Sequence, residues 1–519
     1  VAFALQRARR DDLIVRVRDS VAAVAFHQDV NIGDPQSRAE EIEARAYAKA
    51  EAAFATTAGG RPQLDGVRLY VRFAAEFLKS ALSEGASTST SAAESATTTG
   101  GGAGAAAGCF DVASSGGSDR EFLTAERARA VLSPLLAPGA SFRKVTLTGK
   151  SFGRDAAEVV AEAVRNLGQQ LEELVMSDIV AGRPETEGIE VMTTICSAFS
   201  APSLTKLDLS DNALGEKGIR ACGNALTTQT ALEELLLQNI GGSSGACAAV
   251  FELLPSPHKL KKLHLHNNMS GDAGAVAIAK LLARAPALED FRMSSSRVGE
   301  EGGKALVESL ATRANLIKLN VTDNGLGAAT GVALSRVLNN LPKLEELTLD
   351  ECGLETEGVV EVLRPLYAGA CPALRKLGLS CNDVGQSGLN PIAATLAKLP
   401  NLASLTLAEN ELGDTGAVFV AKALAMSPAP VETLDLSNNE IGAQGALAAA
   451  MCANAKKASF KAKGLNLNGN TIPAIALAKV QEMLEGIGRG DILAPTEDND
   501  GDEEMGADAL AAAFAKLTT

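Results

Sequence analysis

LTKLDLSDNALG, residues 204–215, returns 28 residues later as LEELLLQNIGG from Leu232, then as LKKLHLHNNMSG from Leu260, LEDFRMSSSRVG from Leu288, LIKLNVTDNGLG from Leu316 and LEELTLDECGLE from Leu344. LRKLGLSCNDVG from Leu374, LASLTLAENELG from Leu402 and VETLDLSNNEIG from Val431 follow at spacings of 30, 28 and 29, and weaker copies begin at Phe142, Leu171 and Ala462. A period of this length, kept over twelve rows, marks an array in which each unit covers the apolar face of its neighbour. Such an array also explains the length, since 519 residues exceed what a single core can organise.

The rows follow LxxLxLxxN, the leucine-rich-repeat pattern, with the Asn present in seven of them. Alternation at LxL predicts a short strand with its leucines inward, and the Ala/Leu-rich stretch that follows predicts a returning amphipathic helix. The row Asn (Asn212, Asn268, Asn324, Asn382, Asn410, Asn439, Asn470) is placed to satisfy turn backbone groups, and Pro202, Pro286, Pro342, Pro372, Pro400 and Pro430 stop the helices before the next strand. The fold class that follows is α/β: a ribonuclease-inhibitor-like solenoid of 11–12 repeats from about residue 140 to 490, strands on the concave side and helices on the convex.

The flanks differ in composition. Residues 36–55 and 64–83 show apolar positions at helical spacing, which predicts a small all-helical domain over 1–83. Residues 84–118 are Ser/Thr/Ala/Gly-rich and are read as a flexible linker, 119–490 as the repeat domain with a cap starting at Asp119, and 491–519 as an acidic tail, with residues 84–118 and 495–505 expected to lack stable structure.

Composition narrows the partners. A net charge of -15 repels phosphate backbones and anionic lipid, and the absence of Trp with 3% aromatic residues removes stacking platforms for bases. No apolar run reaches the ~18 residues of a membrane helix, and no secretory signal is read, so a soluble, cytoplasmic, monomeric protein is expected, with no nucleic acid and no membrane insertion. The eight cysteines form no CxxC pair and are expected to be reduced and mostly buried.

Few residues promise chemistry of their own. TGKS at 148–151 has Lys144 where a phosphate loop requires Gly, and Asp498 and Asp500 lack the Glu that closes a calcium loop. His264 and His266 share one strand face without a third ligand, so no metal is expected. The outward strand positions Asp208, Leu236, His264, Arg292, Asn320 and Thr348 lack a cluster of aromatic and Arg anchors, which shifts attention from the hollow to the rim. Two irregularities stand there. The row at Leu232 has Ile240 in the ladder position and an Asn one place earlier, Asn239. The row at Leu171 is lengthened to 33 residues by SDIVAGRPETEG, expected to project Arg183 from a Gly-Arg-Pro loop.

SDIVAGRPE, LSDNALGEKGIRA, HNNMSGDAGA and ALEDFR closely resemble the plant-type Ran GTPase-activating proteins, a likeness that covers nearly the whole chain. The N-terminal segment is similar to the family's Trp-Pro-Pro envelope-targeting domain, although the motif is missing and the acidic tail is short. The resemblance implies stimulation of GTP hydrolysis on Ran, in support of nucleocytoplasmic transport, by ordering Ran's own catalytic Gln and without an arginine finger. It implies Arg183 and Asn239 as the residues of catalytic effect, with Asp178, Asp211, Asn212 and Gln238 contacting the partner. It implies no cofactor beyond the GTP and Mg that Ran carries, and anchor proteins of the nuclear envelope or pore as partners of residues 1–83. The alternative is a protein-binding scaffold or inhibitor without a GTPase-activating effect, which the missing phosphate loop and the bland strand face disfavour. On neither reading is the chain an enzyme acting alone.

Overall fold

The computed structural model describes residues 108–501 and 505–518, save 116, 117, 119 and 201. The expected helical domain over 1–83 and most of the expected linker lie outside the described residues.

Thirteen short strands pair in parallel in one sheet, from Cys109–Asp111 to Leu465–Asn466. Twelve of them are the twelve rows, one strand each. The register is uniform: Lys206 faces Glu234, Leu207 faces Leu235 and Asp208 faces Leu236, and the same columns continue through Lys262, Leu263 and His264. The middle Leu of each strand is buried (Leu207, Leu235, Leu263, Leu319, Leu347), which is the LxL alternation in three dimensions. Helices such as Gly271–Leu282 and Gly327–Leu338 return the chain and bury Ile278, Leu281, Leu334 and Val337 against the same core. Adjacent strands lie about 4.8 Å apart while packed helices need about 8–10 Å, so the stack bends with its sheet on the inner side.

The buried Asn ladder stitches the rows. Asn268 Oδ1 accepts the Ile240 and Gly242 N–H groups at 3.1 and 2.9 Å, while its Nδ2 donates to the carbonyls of Leu237 and Leu265 at 3.0 and 2.6 Å. Asn324, Asn410 and Asn470 repeat this arrangement, Ser296 and Cys352 stand in for it in two rows, and each satisfies groups that water cannot reach.

Both ends are more ordered than composition suggests. The expected linker gives way at Cys109: Cys109–Asp111 pairs with Lys144–Thr146, Val112 is fully buried and Phe110 meets Phe142 edge-on at 6.0 Å. The apolar cluster CFDV, hidden in a Gly/Ser-rich run, is enough to add a strand to an open sheet edge. The expected acidic tail is likewise a cap. Ile492 is buried, Leu493 bridges Leu465, and Asn499 Oδ1 accepts the Asn470 N–H at 3.0 Å, continuing the ladder past the last row. Helix Ala507–Thr518 follows, with Leu517 buried in the common core. At the N-terminal end, helices Ala125–Val131 and Ser133–Leu136 and a two-strand sheet, Glu121–Leu123 with Lys150–Phe152, cover the first rows.

Six cysteines are buried, and Cys109 and Cys381 are partly so; all eight are free thiols. Burial pushes the Cys247, Cys371 and Cys452 thiols up to about 12, away from thiolate chemistry.

Candidate functional site

In every row from Leu171 to Val431 the residue just before the ladder position has a positive φ, including Asp178 (57°), Asp211 (60°), Asn239 (50°) and Asn267 (57°). Asp and Asn are the non-glycine residues that tolerate this left-handed conformation best. The turn therefore lifts one side chain toward the rim in each row, and in six of these ten rows it is an Asp or Asn. Asn239 is a residue type that suits this backbone, and it does no ladder work: Ile240, buried, fills that column and its N–H is satisfied by Asn268. The row at Leu171 is built the same way, with Asp178 lifted and Ile179 in the ladder column, its N–H accepted by Asn212 Oδ1 at 2.9 Å. That second Asx-Ile pair is visible in the sequence once the row is written in frame.

Asn239 is exposed, and its Nδ2 donates to Asp211 Oδ1 at 3.0 Å. Gln238 Nε2 donates to the other oxygen, Asp211 Oδ2, at 3.4 Å. One carboxylate thus holds two amides of the next row. Asn239 Oδ1 accepts no hydrogen bond from the described residues. Asp178, the equivalent carboxylate one row earlier, is paired with Arg120 at 2.6 Å.

Two expectations change. Asn212 is only 6% exposed and spends its amide on Met176, Leu209 and Ser210 carbonyls at 2.7, 2.9 and 3.0 Å, so it belongs to the scaffold and has no amide hydrogen to spare for a partner. Arg183 is not projected: its side chain is 14% exposed, with Nε on Ser151 Oγ at 3.0 Å, one terminal nitrogen on the Ser151 carbonyl at 2.9 Å and the other on Glu187 Oε1 at 3.2 Å. Its guanidinium also lies 4.4 Å from the centre of the Phe122 ring. The inserted loop folds back because Ser151, buried and donating its hydroxyl to the Ala181 carbonyl, supplies acceptors that a planar guanidinium can take together. Ser151, Glu187 and Phe122 are the residues sequence reasoning missed, since only tertiary packing brings them to Arg183.

The pieces share one edge. A 270 Å³ pocket is lined by Gly182, Arg183, Pro184 and Ile189 on one side and by Asp211, Ala213 and Leu214 on the other. Beyond Asn239 an 860 Å³ groove continues along the rim past Asn267, Met269, Ser295, Arg297 and Asp323. Behind the rim, the His266 ring is pushed down to about 4 by burial and by Arg292 and His264, with Asp211 opposing, so it is neutral near pH 7. His264 pairs with Asp290 at 2.9 Å, and among the described residues no cluster of three metal-ligating side chains forms. Lys150 of the TGKS segment is buried, its amine on the Ser118 carbonyl and Glu121 at 2.9 and 3.3 Å.

Comparison with known proteins gives the wider setting. The family described as "Leucine Rich repeat" matches residues 200–221 and 429–448. RAN GTPase-activating protein 2 of Arabidopsis thaliana is 48% identical over 395 residues, covering 76% of this chain and 71% of that protein. RAN GTPase-activating protein 1 of Arabidopsis thaliana is 48% identical over 128 residues, 25% of this chain and 23% of that protein. Ran GTPase-activating protein 1 of Xenopus laevis is 32% identical over 117 residues, 22% of this chain and 20% of that protein.

Proposed function

Since the chain belongs to the Ran GTPase-activating proteins, we propose that it binds GTP-bound Ran along the loop rim and accelerates hydrolysis by ordering Ran's own catalytic Gln. GTP and Mg come with Ran, and the chain contributes position. The observation that carries this reading is the Asn239–Asp211–Gln238 cluster: an exposed amide fixed by a carboxylate, with its Oδ1 available to accept from the NH2 of a glutamine side chain. A side chain held in place before the partner arrives needs no further ordering at the transition state, which is how positioning lowers a barrier.

Arg183 supports the same mechanism by what it cannot do. Acting as an inserted finger would break three hydrogen bonds and a ring contact, and hydrogen bonds to charged groups are worth about 1.5–3 kcal/mol each. Its task is to hold the loop that faces Asp211 across the shared pocket. Asp178, paired with Arg120, and Gln238 complete the partner-facing edge.

In this role the protein works as a monomer on the cytoplasmic side of nuclear transport, with residues 1–83 addressing it to anchor proteins at the nuclear envelope. Among the described residues no helix is long and apolar enough to cross a membrane. Single-turnover GTP hydrolysis by Ran, with and without the chain, is the test. Acceleration that saturates with chain concentration is expected, whereas binding without acceleration would leave a scaffold.

A further inference from the structure

The Gly-Arg pair of the inserted loop is matched by a residue outside the repeats. Phe122 is the middle residue of the cap strand Glu121–Leu123 and pairs in register with Ser151. Alternation sends Leu123 into the core and leaves Phe122 58% exposed. Its ring lies 4.4 Å from the Arg183 guanidinium, so Phe122 and its ladder partner Ser151 grip the same group, one by a π face and the other by two oxygens. Gly182 completes the fit: φ is +73°, and a Cβ there would stand 2.9 Å from Phe122 Cζ. The ring occupies the space that any other residue at 182 would need.

We propose that Phe122 is a positioning residue for GTPase activation, acting through Arg183: the cap, and not the repeat array alone, sets the geometry of the Arg183 loop opposite Asp211. This rests on the reading of the chain as a Ran activator. A guanidinium with hydrogen bonds only in its own plane can still tilt about them. An aromatic face stacked on it removes that freedom, and a branched aliphatic side chain of similar volume does not.

The test is saturating single-turnover Ran GTP hydrolysis with the full chain and its variants. Phe122→Ala should lower the maximal stimulated rate roughly threefold to tenfold, with little change in the concentration giving half-maximal effect. Phe122→Tyr should stay within about twofold of wild type, and Phe122→Leu should fall with Phe122→Ala. On an Arg183→Ala background, Phe122→Ala should cost nothing further, because a residue acting only through Arg183 has nothing left to position. Phe122→Leu at the wild-type rate would reduce Phe122 to packing, and an undiminished second loss on the Arg183→Ala background would also overturn the proposal. Failure of the wild-type chain itself to accelerate hydrolysis would sink the activator reading before any variant is compared, and this inference with it.

Discussion

The rows from Leu260 onward and the rows from Leu171 to Leu232 share one backbone but distribute polar side chains differently. In the later rows the ladder column holds Asn268, Ser296, Asn324, Cys352, Asn382, Asn410, Asn439 and Asn470, nearly all buried and paired to neighbouring rows. In the earlier rows Ile179 and Ile240 take the column on either side of Asn212, and the polar residue in front of each stays on the rim. The contrast separates two uses of one chemical group. A buried ladder amide is consumed by the fold, whereas Asn239 stays exposed and is held by a single carboxylate.

The largest effect should come from testing that contrast directly. Asn239→Ala is expected to cut the saturating stimulated rate of Ran roughly a hundredfold, the scale of losing one preorganised polar group at a transition state, with a small change in melting temperature. Wild-type stimulation by this variant would break the comparison. Arg183→Ala should lose roughly tenfold, through loop disorder, and Arg183→Lys should not restore it, since an ammonium cannot take the Ser151 oxygens and the Phe122 face together. Asn212→Ala should reverse the pattern. It strands the Ile179 N–H and three carbonyls at a cost of about 2–4 kcal/mol, seen in thermal or urea unfolding, while the folded fraction keeps its stimulated rate.

Acid sharpens the same boundary more gently. The folded chain holds His266 down to about 4 against an ordinary value of 6.5, so the unfolded chain binds more protons between those two values. Stability should therefore fall as pH drops from about 6.5 toward 4, and His266→Asn should flatten that fall in unfolding curves taken at each pH. The smallest effect is expected from removing residues 1–107, which should leave the stimulated rate within about twofold. Extending the cut through residue 118 removes the strand Cys109–Asp111 and the Ser118 carbonyl that holds buried Lys150, and should lower the melting temperature.

Much of the site was legible because the repeat exposes its own exceptions: Asn239 stood out only against rows that carry Asn one place later. The ladder role of Asn212 was legible from the repeat frame, and the partner contact that the resemblance implied for it conflicts with that role, since Asp211 is lifted to the rim while Asn212 next to it is buried. The left-handed backbone at Asp211 makes that separation.

The chain ends show the same limit. Composition counted the acidic residues of the tail and the small residues of the linker, but burial acts on single apolar side chains, and Val112, Ile492 and Leu517 find open ends of a stack to cover. Order along the chain was enough to establish the solenoid, together with the inserted loop of the row at Leu171 and the shifted Asn of the row at Leu232, because a period of 28 residues is a property of that order. The direction of Arg183 is set by packing between segments distant in the chain. Its partners Phe122, Ser151 and Glu187 are brought together by stacking of cap and rows, and no spacing rule along the chain encodes which acceptors a folded-back guanidinium meets.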